Sequence, residues 1–186
     1  LPADDGRLAH DPVKWEPVFR SDHAQNKKCQ MTVPVTIRIQ SDDFDIAAEI
    51  AALTKINTDI GAVVSFSGIC RGGNGPDAIA AMTLEHYPGM AEAEIGRHVA
   101  EAVTRWPLDG VTVIHRYGRV VPGDNIVLVL AASKHREAAF AAAEFLMDYL
   151  KTSAPFWKSE ERGDGTNAGW VEAQAHDDNA AARWEK

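Results

Sequence analysis

The stretch IVLVLAASKHREAAFAAAEFLMDYLKTSAPFWK, residues 126–158, carries the strongest secondary-structure signals in the chain. Its first seven residues form an uninterrupted apolar run, which is typical of a buried β-strand. Ser133 is a favourable helix N-cap, and an alanine-rich helix is predicted from there to about Lys151. Because Pro155 cannot continue a helix, a loop that displays Lys158 is predicted next. The stretch therefore predicts a buried strand followed by a long helix.

Strands and helices are mixed on both sides of this stretch. A second long helix is predicted over residues 90–106, where Ile95, Val99 and Trp106 share one face, and a shorter one after N-cap candidates at 41–43. Strands are predicted over residues 33–40, 61–70, 78–86, 111–117 and 170–173, the first at a sheet edge because of Pro34. These segments do not alternate as regular βαβ units. We therefore expect an α+β fold with a mostly antiparallel sheet and two long helices.

Composition sets limits on the class of ligand. The chain has 186 residues, of which 45% are hydrophobic and 25% charged, as expected for one globular domain with a substantial core. The formal net charge is −8, whereas general nucleic-acid and anionic-membrane binders usually carry the opposite sign. An anionic ligand would therefore need a local pocket where cations converge against the global charge.

The N-terminal segment differs from the rest of the chain. Residues 1–30 are polar, contain three prolines and show no hydrophobic period. They are predicted to form a poorly ordered extension before a domain that spans residues 31–186.

The two cysteines, Cys29 and Cys70, indicate the cellular setting. No CxxC pair is present, so we expect neither a zinc site nor a disulfide framework, and a reducing cytoplasm fits best. No apolar run approaches the ~18 residues that a membrane-spanning helix needs. Cys70 follows a β-type run that favours burial, so a nucleophilic role for it is not expected.

Lys134, His135 and Arg136 crowd the first turn of the predicted long helix, where acidic side chains are normally favoured. Free backbone N–H groups beside these cations would suit a phosphate or carboxylate. The alternative is that the side chains point into water, or that Glu137 neutralises them. The residues alone leave both interpretations open.

Lys151 and Lys158 flank a second unusual segment. Phe156 and Trp157 precede Lys158, and an ammonium beside aromatic rings and other cations releases its proton more easily, which suits proton transfer. The alternative is that Lys151 only complements the helix dipole and Lys158 lies at the surface. Arg71, on a glycine-rich loop, is placed either to clamp an anion or to be solvated. His115, at a strand end, is interpreted as structural.

Taken together, several stretches resemble the catalytic (large) subunits of molybdopterin synthases. The resemblance covers about residues 33–184, and its most specific motifs are LEHYPGM at 84–90, MDYLKT at 147–152 and APFWK at 154–158. Further matching stretches are GAVVSFSGICRG at 61–72, RWPLDGVTVIHRYGRVVPGD at 105–124 and GWVEA at 169–173.

The resemblance implies a fold, an assembly and a reaction. The implied fold is α+β and related to the α/β-hammerhead class, and the implied assembly is a heterotetramer: a homodimer with a small ubiquitin-like sulfur carrier at each end. The carrier's Gly-Gly tail, as a thiocarboxylate, would deliver sulfur to cyclic pyranopterin monophosphate in two rounds, forming the molybdopterin dithiolene. No metal or dissociable cofactor is implied, and no nucleic acid or membrane is expected as a partner.

The resemblance also implies roles for individual residues. Lys151 and Lys158 would serve as acid/base and charge-stabilising groups. The arginine loop of family members reaches toward a neighbouring subunit's pocket, so whether Arg71 acts in cis or across the dimer stays open. The implied substrate-binding residues are Arg71, His135, Arg136, Phe66 and Met147.

Two other functions remain as alternatives. The chain would be a non-catalytic scaffold that binds a ubiquitin-like partner, or a stand-alone enzyme that acts on another phosphorylated heterocycle. A scaffold has no reason to keep all the implied cations, and a stand-alone enzyme would turn over without a protein sulfur donor.

Overall fold

A computed structural model describes residues 33–55, 57–75, 78–164, 167–170 and 183–184. The extension predicted over residues 1–30 lies outside these residues, so the domain boundary near residue 31 stays a prediction. Most of the predicted C-terminal strand and tail also lies outside them. In chain order, the elements are β1 (Val35–Gln40), α1 (Ile46–Thr54), β2 (Ala62–Ile69), β3 (Ile79–His86), α2 (Met90–Arg105), β4 (Leu108–Arg116), β5 (Gly118–Val120), β6 (Asn125–Ser133), α3 (Arg136–Thr152), β7 (Phe156–Arg162) and β8 (Asn167–Trp170).

The first sheet has the strand order β1-β4-β6-β2. β1 pairs with β4 in parallel, and the other two pairings are antiparallel. β1 lies at the edge of the sheet, as Pro34 before it predicts. Proline has no backbone N–H to donate to a neighbouring strand, so it is tolerated mainly at sheet edges.

The second sheet has the strand order β5-β3-β7-β8 and is antiparallel throughout. It corrects one prediction, because Lys158 lies on β7, opposite Leu84 of β3, and not on a loop. Pro155 does end the helical segment, but the aromatic residues after it pair with a strand about seventy residues earlier in the chain. Local sequence does not reveal a partner at that separation.

The helices have the predicted positions but different caps. α1 is capped by Asp45, whose side chain accepts hydrogen bonds from the N–H groups of Ala47 and Ala48, and not by residues 41–43. α3 starts at Arg136 with His135 at the N-cap position. Ser133, the predicted cap, instead ends β6 and donates its hydroxyl to the carbonyl of Pro107 at 2.8 Å. The Ser133 oxygen also accepts a hydrogen bond from the N–H of His135 at 3.3 Å, so Ser133 lies two residues before the N-cap position.

The core occupies both faces of the first sheet. Val127, Val129 and Ala131 of β6 pack in the cluster that contains α2 and α3, whereas Leu128 and Leu130 pack on the α1 side. Because β6 is buried on both faces, its sequence is a continuous apolar run and does not alternate between apolar and polar residues. The α+β class, the mostly antiparallel sheets and the two long helices are confirmed. Among the described helices, none is long and apolar enough to cross a membrane.

Candidate active site

A cavity of about 790 Å³ lies between the two sheets, beside the C-terminal end of α3. Its walls come from β2, β3 and β7, from the ends of β4 and β6 nearest to it, and from the last turns of α3. Volumes of roughly 300–1,000 Å³ are usual for small-molecule sites. The fold therefore places a ligand-sized space where elements from both sheets meet.

Cationic side chains from three different elements line this cavity. Lys151 comes from the last turn of α3, Lys158 from β7, and Arg71 from the segment after β2. Alternation along β7 places Lys158 and Glu160 on the same face, and Glu160 is the one acidic side chain among the described lining residues. The lining therefore suits an anion better than the net charge of −8 alone suggests.

Apolar side chains complete the lining. Phe66 projects from β2, and Met147 lies one helical turn before Lys151 on the same face of α3. The structure thus brings together five of the predicted site residues, namely Phe66, Arg71, Met147, Lys151 and Lys158.

The backbone around Arg71 is fixed on both sides. Cys70 donates to the carbonyl of Asp124 and accepts from the N–H of Gly123, both at 2.9 Å. Gly72 accepts from Ile79 N–H at 2.6 Å, and a Cβ on Gly72 would lie 3.1 Å from the ring of Pro122. These contacts hold Arg71 at the end of β2 that borders the cavity.

His135 and Arg136 do not reach this cavity in a single chain. Arg136 begins α3 and Lys151 lies in its last turn, which separates them by about 22 Å along the axis. The strand register agrees, because Ala62 of β2 pairs with Ser133 whereas the other end of β2, next to Arg71, pairs with Asn125. The two groups of implied phosphate ligands therefore lie at opposite ends of the same elements.

His115 lines the cavity, although the sequence indicated only a structural role. Its Nδ1 donates to the carbonyl of Arg116 at 2.8 Å, and its ring stacks on Phe156 with centroids 3.7 Å apart. Burial, reinforced by the nearby His86, lowers the pKa of His115 to about 4. The imidazole is therefore neutral near pH 7 and has both a structural contact and a place in the site. No motif in the sequence singled it out.

Cys70 is buried, as predicted. Its pKa is raised by burial first, and then by the carboxylates of Asp124 and Glu160. The thiol therefore stays protonated, which is unfavourable for a nucleophile. Within the described part of the chain, no three histidine, cysteine or carboxylate side chains are grouped as metal ligands.

Comparisons with known proteins point to one family. The family model described as MoaE protein matches residues 39–153. The chain is 68% identical over 149 residues to the molybdopterin synthase catalytic subunit of Mesorhizobium japonicum, covering 80% of this chain and 92% of the relative. It is also 51% identical to the corresponding Escherichia coli subunit, with 76% and 92% covered.

Solved structures are similar as well. A molybdopterin biosynthesis MoaE protein from Burkholderia ambifaria MC40-6 superposes with a TM-score of 0.69 at 51% identity, covering 82% of this chain and 99% of that chain. The crystal structure of a molybdopterin synthase from Staphylococcus aureus gives a TM-score of 0.65 at 27% identity, with 72% and 95% covered.

Proposed function

This chain belongs to the MoaE protein family of molybdopterin synthase catalytic subunits, and we propose that it performs the sulfur-transfer step of that enzyme. The sulfur donor is the C-terminal thiocarboxylate of a small ubiquitin-like carrier, and the acceptor is cyclic pyranopterin monophosphate. The cytoplasm, inferred from the two cysteines without a CxxC pair, is the proposed setting.

The convergence of Arg71, Lys151 and Lys158 on one cavity carries this proposal. Thiocarboxylate and phosphate are both anions, so a site that handles both needs several cations at close range. A cavity of about 790 Å³ lies in the usual size range of small-molecule sites and is large enough for a fused-ring heterocycle. Phe66 and Met147 supply an apolar surface for a flat ring.

The proposed reaction balances without an oxidant or a reductant. Each round forms a carbon–sulfur bond to the substrate and then breaks the carrier's acyl carbon–sulfur bond by hydrolysis, which leaves the tail as a carboxylate. Over the two rounds the cyclic phosphate opens and the substrate's carbonyl oxygen leaves as water. Two thiocarboxylates and, in sum, one water are consumed.

Lys151 is proposed as the general acid/base that also steadies the thiocarboxylate. Attack, ring opening and loss of water all require proton transfers, and a lysine in the last turn of a helix is held by its backbone on a rigid element. Lys158, held on β7 between two strands, is proposed to stabilise the charge that develops on the phosphate.

A homodimer is part of the proposal, because one chain leaves His135 and Arg136 about 22 Å from Lys151. If both residues bind the substrate phosphate, as the family resemblance implies, they must come from a second copy. Arg71 then acts in cis with Lys151 and Lys158, while His135 and Arg136 act across the dimer.

The test is an assay with a defined sulfur donor. The full chain is mixed with cyclic pyranopterin monophosphate and with a carrier that ends either in a thiocarboxylate or in an ordinary carboxylate, and molybdopterin is measured. We expect product only with the thiocarboxylate. A chain that binds the carrier but forms no product would support the scaffold alternative. Conversion of a phosphorylated heterocycle without any carrier would support the stand-alone enzyme.

A further inference from the structure

His115 joins the two sheets at the cavity. It lies on β4 of the first sheet, opposite Val127 of β6, and its ring stacks on Phe156 of β7 in the second sheet at 3.7 Å and 16°. Phe156 is two residues before Lys158 on the same face of β7. A group bound beside Lys158 therefore lies close to the imidazole of His115, which also lines the cavity.

The tautomer of His115 follows from its hydrogen bond. A carbonyl oxygen can only accept, so Nδ1, 2.8 Å from the carbonyl of Arg116, carries the proton. In the neutral ring Nε2 is then an acceptor with a free lone pair. The lowered pKa of His115, about 4, agrees with a neutral ring.

Nε2 has no hydrogen-bond partner among the described residues, although only 8% of His115 is exposed. It is also not sealed in the core, because His98 Nδ1 is the only fully buried side-chain nitrogen or oxygen without a partner in the described part of the chain. His115 lines the cavity, and buried polar groups normally have a hydrogen-bond partner, so an unpaired acceptor in a residue that is more than nine-tenths buried calls for one.

We propose that His115 is a further substrate-binding residue, whose Nε2 accepts a hydrogen bond from a ring N–H or O–H of the heterocycle bound in the cavity. The inference rests on the proposed function, because it takes cyclic pyranopterin monophosphate as the ligand. A reduced pterin presents N–H donors along its edge, and a neutral imidazole nitrogen can accept a hydrogen bond from one of them. Because the imidazole is uncharged, it does not repel the cations that hold the phosphate. His115 therefore contributes to recognition of the ring, whereas the cations recognise the anionic groups.

Two amide variants separate the functional nitrogen from the structural one. In His115→Asn the side chain still reaches the position of Nδ1 and can donate to the Arg116 carbonyl, but it has no atom near Nε2. In His115→Gln the amide extends to the position of Nε2 and restores an acceptor there. Both variants lose the stack on Phe156, and only His115→Gln also loses the donor to the Arg116 carbonyl, so a purely structural role predicts that His115→Gln is at least as damaging as His115→Asn.

The readouts are the affinity of the full chain for cyclic pyranopterin monophosphate, by calorimetry, and KM and kcat in the carrier-dependent assay. We expect His115→Asn to raise Kd and KM about tenfold, because a buried donor on the ligand loses its partner, while kcat changes less than Kd. His115→Gln is expected to recover most of that loss. Equal effects of the two variants, or none, would overturn the inference while the proposed function stands.

A measurement on the wild type covers the case in which neither variant folds. The ¹⁵N signal of His115 Nε2 is recorded before and after addition of cyclic pyranopterin monophosphate. An upfield shift of the unprotonated nitrogen on binding is expected for a new hydrogen bond. Binding without that shift would refute the inference alone, and a wild type that neither binds the compound nor forms product would refute the proposed function together with it.

Discussion

Burial and one backbone carbonyl control the charge state of His115. Its ordinary pKa of 6.5 falls to about 4 in the folded chain, with desolvation as the largest cause. The hydrogen bond from Nδ1 to the Arg116 carbonyl opposes that fall only in part. The folded protein therefore holds a neutral imidazole at a pH where the unfolded chain begins to hold an imidazolium.

This difference predicts a pH dependence of stability. Because the unfolded chain takes up the proton first, stability that is present above pH 6.5 is lost as the pH falls from 6.5 toward 4, by about 3 kcal/mol from this residue. His115→Gln removes that contribution. The free energy of unfolding, measured with urea at several pH values, should therefore fall less steeply for the variant than for the wild type. Parallel curves between pH 7 and pH 4 would contradict the assigned burial.

At the residue scale, the sequence predicts which side chains belong to the site better than it predicts which residues they contact. Lys151, Lys158 and Arg71 lie in stretches that carry the family resemblance, and the structure brings all three to one cavity. The sequence does not predict that His115 belongs to the site. The position of its ring depends on Phe156, which lies 41 residues later in the chain and in the other sheet. Stacking across two sheets leaves no periodic signal in either strand.

At the scale of elements, α3 is placed by a close backbone contact at its N-terminal side. Gly61 donates its N–H to the carbonyl of Ser133 at 3.1 Å, and a Cβ on Gly61 would lie 2.4 Å from the carbonyl oxygen of Lys134. No side chain fits there unless the backbone between β6 and α3 moves. Gly61 thus sets how closely β2 approaches the start of the helix that carries Lys151.

We predict that Gly61→Ala destabilises the protein by about 1–3 kcal/mol, because the methyl group meets backbone and not a flexible side chain. Gly96→Ala is the matched control. Gly96 lies inside α2, its added Cβ would be 3.8 Å from Ile37, and alanine favours a helix by up to about 1 kcal/mol over glycine. Thermal and urea unfolding should therefore separate the two variants in opposite directions, and a Gly61→Ala protein as stable as Gly96→Ala would refute the contact.

The elements themselves were predicted well where burial leaves a local pattern. β6 is a continuous apolar run because both of its faces are covered, and α2 shows one apolar face because it packs on one side only. The sequence around β7 predicts a loop, because the pairing of β7 with β3 is a long-range contact. Ser133 predicts the start of α3 because its hydroxyl is a good cap, but β6 extends to Ser133 and α3 begins three residues later, at Arg136.

At the scale of the whole molecule, charge and geometry favour an assembly. The chain carries −8 overall, yet Arg71, Lys151 and Lys158 meet at one cavity, and His135 and Arg136 lie at the opposite end of α3. A two-fold pair of chains that brings the start of one α3 to the cavity of the other would unite both groups twice, by symmetry. The sequence contains all these residues but not the distance that separates them.

The most direct test of this account measures molybdopterin formation by Lys151→Ala, by Arg136→Ala and by a refolded equimolar mixture of the two, with thiocarboxylated carrier. Lys55→Ala, an exposed lysine after α1, is the control and should retain wild-type activity. We expect each of the first two variants to lose most activity. The mixture should regain about a quarter of the wild-type rate, because half of the random dimers contain one intact site of two. Full activity of Lys151→Ala would contradict the central role of the cavity, and a mixture no more active than its components would contradict the shared site.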